Sequence, residues 1–287
     1  MNIKFYSTIF TKGIGIALIA TINTFSTFPA FGQQANCSNY WINPNTGKTE
    51  CFNSNMNLIV EPKPLSHKPL LAESYDIGGK KITIPVPNGY VRVTEEMDAV
   101  YRLHHFSMQT VDPKSDLLAS YIPEPNAPIA REGDLPHNER MCAVLVNKSI
   151  KRQLMSYQDF AEFKSIIKFV NKEALKSFMP EVQVRMDKTS QEISKEFGND
   201  FAFEMSQLIP LDPHYESDNA LSYSMYMTGV SAGSSEEESV YATYTLVNVS
   251  GKVFFLSCAG NQHDLEWTRN TSRAWLDKVT ASNRALN

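Results

Sequence analysis

Between residues 201 and 258 the chain alternates side-chain character three times over, and no other feature restricts its fold as much. Phe201, Phe203, Met205, Gln207 and Ile209 alternate with Ala202, Glu204, Ser206 and Leu208. Leu221, Tyr223, Met225 and Met227 repeat the pattern, as do Tyr241, Thr243, Thr245, Val247 and Val249. A period of two sends successive side chains to opposite sides of a strand. Clean alternation therefore predicts a sheet whose faces differ in character, the antiparallel habit. Ser250-Gly251-Lys252 leads straight into Val253–Cys258 and predicts a tight hairpin.

Earlier strands are expected at Lys81–Pro87, Ala99–Phe106, Leu117–Ile122 and Met141–Asn147, with Pro87-Asn88-Gly89 as a turn. The strongest helix follows Ser156, which caps it with Asp159 three residues on. Phe160, Phe163, Ile167, Val170, Ala174 and Phe178 form its apolar stripe, and Pro180 ends it. A shorter helix carries Ile193 and Phe197 and stops at Gly198, and Asp264 opens a last one bearing Trp275, Leu276 and Val279. Runs of strands separated by helices predict an α+β fold. The expected form is a mainly antiparallel, sandwich-like sheet packed with about three helices.

The first 32 residues have the layout of a secretory signal. Lys4 and Lys12 precede the apolar run Gly13–Ile22, and Pro29-Ala30-Phe31-Gly32 offers small residues for a cut before Gln33. The run is too short for a spanning helix, which needs about 20 residues, so no stable membrane insertion is expected after cleavage. Residues 1–32 are thus read as signal peptide. Residues 33–75 are read as an N-terminal extension and linker with the proline-spaced VEPKPLSHKPL, and 76–287 as the globular domain. Loss of Lys4 and Lys12 would move the net charge from −4 to −6. Such a chain lacks the basic face that nucleic acid requires and a basic juxtamembrane cluster for anionic lipid.

Export fits the four cysteines. Cys37 and Cys51 flank the turn Asn43-Pro44-Asn45-Thr46-Gly47, and their pairing would close the extension into a loop. Cys142 and Cys258 lie in strand-like apolar runs, where buried thiols and a cross-strand bridge are both open. None of the cysteines has the spacing of a metal site, and neither metal nor cofactor is expected. Sequons occur at Asn36, Asn147, Asn248 and Asn270.

Gly229-Val230-Ser231-Ala232-Gly233 matches the G-x-S-x-G nucleophile motif, which would make Ser231 a candidate catalytic serine. The motif requires a strand-to-helix elbow, whereas Ser234-Ser235-Glu236-Glu237-Glu238-Ser239 and another strand follow here, as in a hairpin loop. His263 is the only later histidine to serve as base. His104-His105, read as strand residues, point to opposite faces, and the other histidines lie in loops. Tyr40-Trp41, Tyr215, Tyr223, Tyr226, Tyr241 and Tyr244 could line a carbohydrate or peptide surface, but for the strand tyrosines sheet packing is the simpler account.

The motif ITIPVPNGYVRVTEE resembles the opening strand of PsbP-like proteins. The helix after Ser156-Tyr157-Gln158-Asp159-Phe160 and the later antiparallel run continue that order. LVNVSGKVFFLSCAG followed by DLEWTRNTSRAWLDKVTASN also resembles exported bacterial proteins of unknown function. The resemblance covers residues 76 to 283. It implies an α/β/α sandwich about an antiparallel sheet, with binding or assembly roles in place of catalysis, and assigns no functional residue here. The expected function is thus a non-enzymatic binding or accessory role in the bacterial envelope, periplasmic or secreted, with an unidentified partner there or outside the cell. The partner surface is expected to include the polar excursions 123–139 and 229–239. A serine hydrolase using Ser231 and a self-associating structural protein are the alternatives.

Overall fold

The computed structural model describes residues 39–42, 49–52, 72–136, 140–168, 203–231 and 237–284, with isolated positions between 184 and 195. The chain divides into two compact units, one over Pro29–Pro69 and one holding every element from Leu70 to Asn287. In the first, β1 (Asn39–Ile42) and β2 (Thr49–Phe52) form an antiparallel pair that sets Tyr40 opposite Cys51. Cys37 and the turn at 43–47 lie outside the described residues, and so does the pairing expected for Cys37 and Cys51.

The second unit is an α+β sandwich. Its antiparallel sheet runs β5 (Tyr90–Arg92), β6 (Ser115–Pro123), β7 (Met141–Asn147), β12 (Lys252–Asn261), β11 (Glu237–Val249), β10 (Ala220–Ser231), β8 (Phe203–Pro210). The short β9 (Tyr215–Ser217) pairs with the start of β10. A separate hairpin joins β3 (Ala72–Ile77) to β4 (Lys80–Pro85).

All seven residues of β7 are buried, which explains why it reads as an unbroken apolar run. Met141, Ala143 and Leu145 face one layer, and Cys142, Val144 and Val146 face the other. Phe255 and Phe254 divide in the same way on β12. The first layer is closed by α3, helical over 157–168, whose Phe160, Phe163 and Ile167 are buried. Each such side chain contributes on the order of 1.5–3 kcal/mol by leaving water. The helix starts as its sequence predicts. Asp159 N–H donates to Ser156 Oγ (3.1 Å), and Ser156 N–H (3.3 Å) and Oγ–H (2.7 Å) donate to Asp159 Oδ2. The rest of the expected stripe, Val170 to Phe178, and the Ile193–Gly198 segment lie outside the described residues or their side chains.

The second layer is closed by α4 (Leu265–Asn283) and the β3–β4 hairpin. Trp275 Nε1 donates to Pro85 O (2.6 Å). Asn283 Nδ2 donates to Thr83 O (2.7 Å), and its Oδ1 accepts from Thr83 N (3.0 Å). One amide thus pairs with β4 as a neighbouring strand would. Ser250 (φ 52°) and Gly251 (φ 79°) turn β11 into β12 with the two positive φ values of a type I′ hairpin.

Two expectations are corrected. Residues 99–106 are not a strand but lie within α1 (Asp98–Val111). Ala99, Val100, Leu103, Ser107 and Met108 are its buried face, at helical spacing, and a short apolar run does not separate the two periods by itself. The 123–139 stretch is not simply a loop. It includes a 3-10 turn (Glu124–Asn126) and α2 (Ala127–Arg131), whose Ala127 and Ala130 pack with Val93, Met97, Val100 and Ile122.

Candidate functional site

Antiparallel strands collect their connections at two ends of the sheet. At one end emerge the β4–β5 turn, the β6–β7 connection, the β10–β11 tip and the β12–α4 turn. The fold thus brings the described residues of the two polar excursions of the sequence, 123–136 of one and 229–231 with 237–239 of the other, to the same end.

Between them sits a cluster built on α4. Asp264, just before the helix, is buried and receives Arg140 Nε (3.2 Å to each oxygen) and Nη2 (2.6 Å to Oδ1). The N–H of Asn261 also donates to it (3.1 Å). Gly260 makes room for this carboxylate, since a Cβ there would stand 2.5 Å from Asp264 Oδ2. The Arg140 guanidinium lies 4.8 Å from the centre of the Trp267 ring, which stacks on Tyr90 at 6.1 Å. Burial, above all, pushes the Tyr90 phenol up and keeps it neutral. None of these residues stands out in the sequence as a partner of another, because Arg140 and Asp264 are 124 positions apart. The only available signal was an arginine just before a buried strand.

One row across the second layer continues this rim through Ile209, Tyr226, Tyr241 and Gly260. Tyr226 and Tyr241 are half-buried with ring centres 5.0 Å apart, and the Tyr226 hydroxyl lies 2.9 Å from Ser239 Oγ. The tyrosines raised by the sequence therefore separate. Tyr223 and Tyr244 are core residues of the first layer, Tyr215 lies beneath Arg273 (3.6 Å), and Tyr226 and Tyr241 remain accessible.

Ser231 ends β10 opposite Phe203, while Gly229 and Val230 pair with Glu238 and Glu237 of β11. The chain here makes a hairpin, not the strand-to-helix elbow of the nucleophile motif. The Ser231 side chain itself is not among those described. Cys142 and Cys258 stand directly opposite each other on β7 and β12 and form a disulfide, with Cα atoms 4.1 Å apart. Of the two states left open by the sequence, the chain has the bridge. Among the described residues no three potential metal ligands converge. The sequon residues Asn147 and Asn248 are buried, whereas Asn270 is exposed on α4.

His104 and His105 belong to α1, so the strand argument for them does not apply. His104 Nδ1 lies 2.9 Å from Ser120 Oγ, and burial, reinforced by His105, pushes its pKa down to about 4. Burial and then Arg269 push His214 down to about 4 as well, against the opposing Glu266. From the ordinary 6.5, both shifts make the unfolded chain bind protons before the folded one does. Stability is therefore fully present above about pH 6.5 and is lost as the pH falls through about 4. Urea midpoints measured across that window should decline steeply in the wild type. The decline should be shallower in His104→Gln, and an identical slope would remove His104 as a cause.

No protein-family model matches the sequence, and no curated protein matches it. Among solved structures the chain is similar to the cyanobacterial PsbP protein (CyanoP) of Synechocystis. That match has 10% identity and a TM-score of 0.27 over 78% of this chain and 96% of that one. It is also similar to the Ran-binding protein Mog1p of Saccharomyces cerevisiae, at 11% identity and a TM-score of 0.24. This second match covers 74% and 92% of the two chains.

Proposed function

We propose that the chain is an exported, non-enzymatic binding or accessory protein of the bacterial envelope. Its partner is taken at the end of the sandwich that carries Arg140, Trp267, Tyr226 and Tyr241. The supporting observation is the convergence at this end of both polar excursions with half-exposed Trp, Tyr and Arg. These are the residue types that dominate binding energy in known interfaces. Export rests on the signal layout of residues 1–32, and a disulfide suits that compartment.

The decisive experiment is native mass spectrometry on protein purified gently from the envelope or medium of its own host. A co-purifying mass is expected, at least tenfold depleted by Ile129→Ser, which alters a residue 43% exposed on α2, or by shortening the 232–236 tip to Asn-Gly. Deleting 123–139 whole would be a poor test, because Ala127 and Ala130 hold core contacts. Binding untouched by both changes would refute this placement. Labelling by a fluorophosphonate that disappears in Ser231→Ala would replace the reading with the hydrolase one.

A further inference from the structure

The opposite end of the sandwich has a different chemistry, assembled from turns far apart in the sequence. Lys252 Nζ donates to Gly78 O (3.0 Å), Lys151 O (3.2 Å) and Gln153 O (3.2 Å). It thereby ties the β3–β4 turn and the segment after β7 to the β11–β12 turn. Lys80 Nζ donates to Ser250 O (2.8 Å), and Lys148 N–H donates to Lys114 O (2.8 Å), which joins the turn before β6. The surface so formed carries Lys80, Lys81, Lys114, Lys148, Lys151 and Arg152. Asp116, paired with Lys148 and Lys151, offsets part of this charge, as do Asp76 near the end of β3 and Asp218 in the turn between β9 and β10.

Two large apolar side chains project from the same surface. Leu154 is 72% exposed beside Gly251, and Tyr157, at the start of α3, is 60% exposed. Cations ringing an exposed leucine and tyrosine are what a bilayer interface accommodates. The charges meet anionic headgroups, the leucine enters the acyl boundary, and the phenol ring stays at headgroup level. A nucleic acid would match the charge but leave Leu154 without an apolar environment.

We propose that this end docks the protein peripherally on an anionic phospholipid surface. The rim of Trp267 and Tyr226 then faces away from the membrane. No lipid-directed basic cluster is legible along the sequence, because these cations come from separate connections, never more than two adjacent.

The test is co-sedimentation of the full chain with vesicles of phosphatidylcholine alone or with about one-third phosphatidylglycerol. Any affinity of the apolar segment 13–22 for a bilayer would act on both lipids alike, so the readout is the ratio of binding to the two. A clear preference for anionic vesicles at about 0.1 M salt, shrinking at about 0.5 M, is expected. Each cation near such a surface is worth about fivefold. The triple variant Lys81→Glu, Lys148→Glu, Arg152→Glu should therefore lose about a hundredfold or more of the preference. Leu154→Ser should lower binding to the anionic vesicles about tenfold. Unchanged melting temperatures would show that both variants remain folded. Equal binding to both lipids, or a preference untouched by the triple variant, overturns the proposal. So does concentration-dependent self-association abolished by that variant without any lipid preference. That result would give this surface to the end of a second copy that carries Glu124, Glu132 and Asp134.

Discussion

Replacing both Cys142 and Cys258 by alanine is expected to lower the unfolding free energy by about 3–5 kcal/mol. The bridge joins residues 116 positions apart, so its loss frees a long loop of the unfolded chain, whose closure entropy grows with length. It also links β7 to β12, the contact that unites the β5–β7 part of the sheet with the β8–β12 part. Urea unfolding should show the loss as a lower midpoint. Wild type unfolded and refolded in reductant should fall to the same value as the double variant. An unchanged midpoint in the double variant would mean that the ladder alone secures the junction.

The second large effect is expected at Lys252. Its residue is buried and its ammonium donates to three backbone carbonyls from two connections. Lys252→Met keeps most of the apolar stem and removes every donor. Hydrogen bonds to a charged group contribute about 1.5–3 kcal/mol, and buried acceptors left without donors cost about 1–3 kcal/mol each. Because water reaches some of these acceptors in the variant, a net loss of about 3 kcal/mol is expected. In a domain of this size that corresponds to a melting temperature lower by about 6–12 °C. Lys81→Met, at an exposed neighbouring position, should stay within about 0.5 kcal/mol. Equal effects at the two positions would show that the three carbonyls do not depend on Lys252.

What the sequence made legible was whatever is written locally. The strand Met141–Asn147, the Ser250-Gly251 turn, the Ser156–Asp159 cap and the alternation from 221 to 249 each depend on residues a few positions apart. The α+β class followed from them. The α1 helix was misread because Ala99–Phe106 mixes apolar, aromatic and histidine residues over too short a span to fix a period. The rim escaped notice for another reason. Arg140 and Asp264 meet only after β7 and β12 have paired, and the cationic end appears only once Lys252 has drawn its turns together. Charge counted along the chain showed neither, because both are products of topology.

The placement of β12 beside β7 also sets an order of events. The middle of the sheet cannot form until Lys252–Asn261 is available to pair with Met141–Asn147, and the second layer waits longer for α4. A chain that emerges N-terminus first must therefore hold Phe160, Phe163 and the apolar strands without their final partners until β12 has appeared. Non-local pairing of this kind folds slowly. It also leaves the polypeptide threadable through a narrow channel until β12 and α4 are through, and commits it to the compact state only afterwards.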